Sequence, residues 1–316
     1  MKHETSSPNG AITLSRVCKR PVHMLLFIFL ITSGVAMAQP EFQTRPTACT
    51  IDKHRFELSL FAPSRYGIGE KTEVFTDVLG DVMIPNVGLK HRWFTKPAED
   101  DGGFLRTREL HFATVHNIDY PGIFFKGVQK HKPSYIPDTC TVPSVITLRN
   151  EARLTIMLKK KTNCEPGNFL LTLRAGIKNS FKVGKEATMP PIDRHTLWYR
   201  ESVVCLDTIV WFVGADLDIH ITGKLNLLVD ADFYSVDWNV KDWSGENKLF
   251  LYGYFGYKQN IMLQGGVKLM YGTVFDDFKF HALPMLDVSY FFSLNKKRDK
   301  GLFGNDVSML THKYRR

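Results

Sequence analysis

The chain has 316 residues, a hydrophobic fraction of 44% and a formal net charge of +9, which is enough apolar content for one large domain or two ordinary ones and too much for a chain disordered throughout. The charge lies at the ends. Residues 1–38 carry four Lys/Arg against one Glu (+3) and residues 293–316 carry seven against two Asp (+5), so the body keeps 9 − 3 − 5 = +1; a nearly neutral body excludes a basic nucleic-acid groove, and no nucleic-acid partner is expected.

In chain order, the first feature is the apolar run "MLLFIFLITSGV", Met24–Val35. Twelve residues are too few to span a bilayer as a helix but suit the core of a secretory signal. Lys19 and Arg20 precede the run and Ala36-Met37-Ala38 follows it as a small-x-small cleavage site. Residues 1–38 therefore read as a cleaved signal peptide, with Gln39 the first mature residue. Cys18 lies upstream of the core, so it does not read as a lipid-attachment cysteine. Residues 39–53 form an N-terminal lead-in. Export leaves Cys49, Cys140, Cys164 and Cys205 in an oxidising compartment, where one or two disulfides are possible in three pairings that the sequence does not choose between. No CxxC pair is present, which leaves a zinc or thioredoxin-type site without support.

From residue 54 onward the pattern has period 2, the signature of strands. Phe56, Leu58, Leu60 and Ala62 alternate with other residues in "FELSLFA". Val87, Leu89 and Trp93 oppose Lys90 and Arg92. In "ITLRNEARLTIML", Ile146, Leu148, Ala152, Leu154, Ile156 and Leu158 oppose Thr147, Arg149, Glu151, Arg153 and Thr155. In "NFLLTLRAGIKNSFKV", Asn168–Val183, apolar residues hold the odd positions from Phe169 to Val183 except at Asn179. Thr172, Arg174, Lys178, Ser180 and Lys182 hold even ones. "WFVGADLDIHI" sets Trp211, Val213 and Ala215 against Asp216, Asp218 and His220. "LNLLVDADF" sets Leu225, Leu227 and Val229 against Asn226, Asp230 and Asp232. "IMLQGGVKLMYGTVF" and "HALPMLDVSYFF", which contains Asp287, follow more loosely. The segments Asn117–Lys130 and Leu197–Asp207 are less regular strand candidates. Thr222-Gly223-Lys224 and Tyr257–Asn260 read as tight turns, and the polar stretch Asn239–Lys248 reads as a longer connection. Several strands run to about twice the usual 5–6 residues, long enough to cross a bilayer. Short and long connections alternate in the manner of outer-membrane barrels, although "KKKTNCEPGN" and "TKPAEDDGG" are long where short ones belong. Aromatic residues gather near strand ends, at Trp93-Phe94, Trp198-Tyr199, Trp211-Phe212, Trp238 and Tyr290-Phe291-Phe292.

The alternation predicts an all-β fold, an antiparallel up-and-down transmembrane β-barrel over residues 54–292 with a basic tail at 293–316. About eleven strands are visible. Single-chain bacterial barrels have even counts, so 12 strands are expected, with 10 as the alternative. Alternation is the same in a soluble barrel, where the apolar face turns in, and in a membrane barrel, where it turns out. Strand length favours the second, as does the richly charged polar face, and a closed sheet is the only β architecture that spans lipid. On that expectation Arg149, Glu151, Arg153, Arg174, Lys178, Lys182, Asp216, Asp218, His220, Asp230, Asp232 and Asp287 line the lumen, where rows of opposite charge pair across a narrow interior that side chains largely fill.

The stretch "SRYGIGEKTEVFTDVLGDVMIPNVGLKHRW" carries an aromatic-Gly pair, Tyr66-Gly67, a polar turn, Gly69-Glu70-Lys71, a Glu-apolar start, Glu73-Val74, and the strand piece Gly88-Leu89-Lys90. It resembles a recurring hairpin of Gram-negative outer-membrane barrels of the phenol-degradation meta-pathway-associated group and of related Bacteroidota-type barrels. The resemblance covers about 40 of the 316 residues. It implies location in the outer membrane, passage or binding of small solutes, and outer-membrane lipid and the barrel-assembly machinery as partners. The chain departs from the usual barrel ending, because 24 residues follow Phe292, the candidate terminal aromatic.

No catalytic residue, metal site or cofactor is expected. His220, Asp218 and Asp230 read as lumen electrostatics. His111 and His116 stand five apart, on opposite faces of a strand, and read as surface or rim residues. "MPPIDRH" reads as a rigid turn, and "YGIGEK" is a lone GxG without a following helix. The expected function is a passive small-solute channel or binding barrel. Two alternatives are a membrane-embedded lipid-modifying enzyme, with Ser235 and His220 as candidates by residue type alone, and a secreted β-sandwich that binds a partner.

Overall fold

A computed structural model describes residues 45–78, 81, 84–97, 109–131, 138–142, 144–159, 168–183, 209–222, 225–236, 241, 243–255, 260–272 and 279–294. The expected signal peptide, the basic tail from residue 295 onward, Leu197–Asp207, "MPPIDRH", Cys164 and Cys205 lie outside these residues. Twelve strands follow one another: β1 (Arg55–Ser59), β2 (Ser64–Gly67), β3 (Thr72–Thr76), β4 (Asn86–Lys96), β5 (Glu109–Asp119), β6 (Ser144–Lys159), β7 (Asn168–Val183), β8 (Ile209–Thr222), β9 (Leu225–Val236), β10 (Trp243–Phe255), β11 (Ile261–Gly272) and β12 (Lys279–Ser293). Each pairs antiparallel with the next, and β1 pairs with β12, from Arg55 opposite Ser293 to Ser59 opposite Ser289. The sheet closes on itself as a 12-strand up-and-down barrel. It is a single closed sheet, so the two-sheet sandwich is ruled out.

The barrel is inverted relative to a soluble one. On β7 the even-numbered Thr172, Arg174 and Lys178 are 1%, 8% and 7% exposed, whereas Leu173, Ile177 and Phe181 are 44%, 40% and 48% exposed. The same holds around the ring, with Leu58, Val87, Ile118, Ile146, Val213, Phe233, Leu249 and Leu286 all turned outward. Fully burying one such side chain is worth about 1.5–3 kcal/mol. An apolar belt contributed by strands all round the sheet exceeds what a water-soluble monomer exposes.

Strands β4 to β12 are 11–16 residues long, sufficient for the roughly 9–11 residues a tilted crossing requires. β1, β2 and β3 have only 4–5 residues. β12 therefore continues toward Lys279 beyond the point where β1 stops. Pro284 uses this gap. Leu60 N–H donates to the Val288 carbonyl at 3.0 Å, so Val288, and with it Pro284 four residues earlier, turns its backbone toward the β1 side. There, past the end of β1, the missing N–H of proline costs no ladder bond.

Outward aromatic residues form a band at each end. Trp211, Phe233, Trp243 and Tyr271 are linked across β8 to β11 at ring distances of 5.8–5.9 Å. Toward the other end, Phe56 stacks on Phe292 at 5.1 Å and Phe94 on Phe112 at 5.5 Å. Aromatic bands of this kind mark headgroup levels in outer-membrane barrels. Phe212 and Phe291, by contrast, face inward and are buried.

Two expectations are corrected. Of the strand candidate Asn117–Lys130, only the first three residues are strand, completing β5. The rest turns into α1 (Gly122–His131), which seats Phe125 at 0% exposure. The polar stretch Asn239–Lys248 is not all connection, because its second half begins β10 at Trp243.

Candidate functional site: the charged lumen

Closure brings the inward positions of all twelve strands to one interior, where charged residues meet. Arg174 on β7 is the hub of one group. Its Nε lies 2.9 Å from Asp216 Oδ2 on β8, and its Nη2 donates to Asp230 Oδ1 at 2.8 Å and Asp232 Oδ1 at 2.7 Å on β9. Lys248 Nζ on β10 donates to Asp230 Oδ2 at 2.9 Å, and Lys268 on β11 pairs with Glu246 at 3.1 Å. Glycine at 214 makes this possible. It stands between Arg174 and Asp232 in the register, and a Cβ there would lie 2.0 Å from Asp232 Oδ1. On β6, Glu151 joins Arg149 and Arg153, and the Arg149 guanidinium covers the Phe212 ring at 4.8 Å.

The second group is built on the short strands. Glu57 (β1), Arg65 (β2), Glu73 (β3) and Lys90 (β4) alternate in sign from strand to strand. Arg65 pairs with Glu57 and with Glu73, and Lys90 Nζ lies 2.9 Å from Glu73 Oε1. All four are nearly or fully buried. Burying ions costs several kcal/mol each unless paired and hydrogen-bonded, and the strand-by-strand alternation provides that pairing.

The lead-in completes the interior. Arg45 reaches Glu57, Ser289 and, at 2.9 Å, Asp287 Oδ2, while its carbonyl accepts from Arg153 Nη1. Lys90 Nζ donates to the Thr47 carbonyl at 3.3 Å. Ala48 N–H donates to Thr155 Oγ1 at 2.7 Å and Ile51 N–H to Glu73 Oε2 at 2.6 Å. Thr47 and Ala48 are 1% and 0% exposed. Asp287 lies six residues along β12 from Ser293, so the Arg45 side chain meets β12 about 20 Å along that tilted strand at the usual rise per residue. His54 reverses the chain from this segment into β1 with φ 63°, a left-handed conformation uncommon outside glycine.

The structure puts all twelve expected lumen residues on the inward side. Glu151, Arg153, Arg174, Lys178, Asp216, Asp218, Asp230, Asp232 and Asp287 are buried, and Arg149 and Lys182 are half-buried. Tyr252 hydroxyl donates to Asp218. Asp287 accepts from Ser59 Oγ and, at 3.0 Å, from the Phe61 N–H. His220 is half-buried toward one end, beside Asn226 at 2.9 Å, away from Arg174 and its aspartates. Sequence reasoning missed Arg45, Glu57, Arg65, Glu73, Glu246, Lys248 and Lys268. Six of them are charged residues at inward strand positions, obscured where the strands are short (Glu57, Arg65, Glu73), read as connection (Glu246, Lys248) or only loosely alternating (Lys268); Arg45 lies in no strand and left no periodic signal. His111 and His116 do take opposite faces. His111, however, is 5% exposed and 3.0 Å from Glu109, not a surface or rim residue.

Ser235 opposes Trp211 in the register, nine residues along β8 from His220, a separation of about 30 Å at the usual rise; the two are not brought together. Among the described residues, no group of His, Cys, Asp and Glu is arranged to hold a metal ion, and Cys49 and Cys140 are free thiols. Among them, too, no helix is long and apolar enough to cross a membrane, a statement that leaves crossing by strands untouched. No family model matches the chain, and no curated protein matches it.

Proposed function

We propose that the chain is an outer-membrane β-barrel that acts as a small-solute channel or solute-binding barrel, with its N-terminal lead-in occupying the lumen in the form described. The inversion of the barrel carries this reading: apolar Leu173, Ile177 and Phe181 point out while Thr172, Arg174 and Lys178 point in. Lipid is the solvent that suits such an outer face, and a polar interior is what a path or site for water-soluble molecules requires. The partners implied are outer-membrane lipid, the barrel-assembly machinery and small solutes. The lipid-modifying alternative gains nothing from the geometry of Ser235 and His220.

The test is cell-envelope fractionation followed by electrophoresis with and without boiling. Retention in urea-washed outer membrane with a heat-dependent mobility shift is the expected result. Release as a soluble species would overturn the membrane reading, and absence of any conductance or solute binding by the purified barrel would overturn the channel and binding reading.

A further inference from the structure

The lead-in differs from every other inward-facing group in one respect: it is not part of the sheet. Arg45 to Ile51 makes no strand pairing, and what holds it is a set of side-chain hydrogen bonds from β1, β3, β4, β6 and β12. It joins the barrel through one left-handed residue, His54. The His54 N–H and carbonyl are tied to Gly67 and Leu294 at 2.7 and 3.0 Å, so a fixed pivot stands at the foot of a side-chain-bonded segment. Its deepest anchor is a guanidinium held by two carboxylates, Glu57 and Asp287. A further carboxylate, Glu73, accepts from the Ile51 N–H.

With the segment in place, Arg45, Arg65 and Lys90 balance Glu57, Glu73 and Asp287. With it withdrawn, Glu57 keeps Arg65 while Asp287 loses the guanidinium that pairs with it, and the Glu57–Asp287 seat is left open to solute. We propose that residues 45–51 form a displaceable plug, and that the seat it vacates passes small cationic solutes bearing a guanidinium or amine group, which take the place of the Arg45 side chain. The inference rests on the channel reading and names the solute class of that same lumen. The geometry of the seat matches the planar fork of a guanidinium, which carboxylates bind better than they bind a compact spherical ion.

The experiment uses the mature full-length protein in planar bilayers, with guanidinium chloride and free arginine as probes. Wild type is expected to open rarely. Arg45→Ala gives up charge-assisted bonds to Glu57 and Asp287, and its open time is expected to rise about ten-fold or more. The reversal potential in a KCl gradient is expected to show cation preference, with reversible block by the probes. Arg45→Ala combined with Glu57→Gln and Asp287→Asn is expected to lose both the preference and the block. Retained heat-dependent mobility shows that each variant is folded. A second design leaves Arg45 intact: Ala48→Cys with Thr155→Cys in a Cys49→Ser background ties the plug to β6. Oxidation is expected to silence the barrel and reduction to restore wild-type opening. Conductance that is unselective, anion-preferring or insensitive to the probes overturns the inference and leaves the channel reading standing. So does full conductance through the tethered plug. If neither Arg45→Ala nor the reduced tether nor wild type conducts, the channel reading falls and the inference with it.

Discussion

At the residue scale, the lumen is a set of ions that are stable only together. Arg174 compensates three buried aspartates, Asp216, Asp230 and Asp232, with Lys248 as the second cation. Replacing one partner of such a group leaves uncompensated charge, at a cost of ~3–5 kcal/mol. Arg174→Ala is therefore expected to lower the temperature at which the barrel loses its heat-dependent mobility far more than Lys182→Ala, whose residue is only half-buried. A subtler case is Gly214→Ala. The added Cβ collides with the Asp232 carboxylate, and overpacking of this kind costs ~1–3 kcal/mol, measurable as a lower urea midpoint. The reason that Arg174 was legible from sequence while Glu57 and Arg65 were not is physical. β7 offers sixteen residues of alternation, and β2 offers four, too few for a periodic signal. Arg45 has no periodicity at all, because it lies in no strand, and only closure of the barrel gives it carboxylate partners.

At the element scale, the barrel depends on a short seam. β1 joins β12 over five residue pairs, whereas β6 and β7 pair over sixteen. Leu58 and Tyr290 are partners on this seam, both facing outward. Opposed residues in an antiparallel pair bring Cα atoms within disulfide range. The double variant Leu58→Cys, Tyr290→Cys is expected to cross-link on oxidation and to migrate as a covalently closed ring, unlike either single variant. No cross-link would mean that β1 does not close the sheet. Long strands such as β6, β7 and β8 announced themselves in sequence. β10 was half concealed because its inward face carries Glu246 and Lys248. With Gly245 and Asn247 beside them, these charges form a polar stretch that reads as a connection, although charges also suit the inward face of a strand around a polar lumen. The helix α1 was concealed for a different cause, since its ten residues follow directly on a strand across a turn at Tyr120-Pro121.

At the scale of the whole molecule, the fold class followed from the period-2 segments, and the strand number from about eleven candidates taken up to an even count; alternation by itself did not orient the faces, and strand length with a charged polar face was what favoured an apolar outside. Leu171, Leu173 and Ile177 alternate with Thr172, Arg174 and Lys178 in the same way whether the core is dry or polar. What separates the two is which face the closed sheet buries: Thr172, Arg174 and Lys178 are buried inside, with ion pairs linking neighbouring strands, and Leu173 and Ile177 are exposed. An outward apolar belt has a consequence that mutation can reach: Leu173→Arg, placed at mid-strand on the outer face, is expected to cost ~2–4 kcal/mol if that position lies near the bilayer midplane. Reduced recovery in the urea-washed membrane fraction is the readout. A soluble protein would tolerate an outward arginine with little change.

The claim that the odd-numbered face of β7 meets lipid is tested most directly by single-cysteine fluorescence. A small thiol-reactive fluorophore would be placed in turn at Leu173, Ile177 and Phe181 and at Thr172, Lys178 and Ser180, and the folded barrel reconstituted in vesicles with brominated acyl chains. Strong quenching at the three odd positions and little at the three even ones is the predicted result. Quenching at the even positions, or at none of the six, would contradict it.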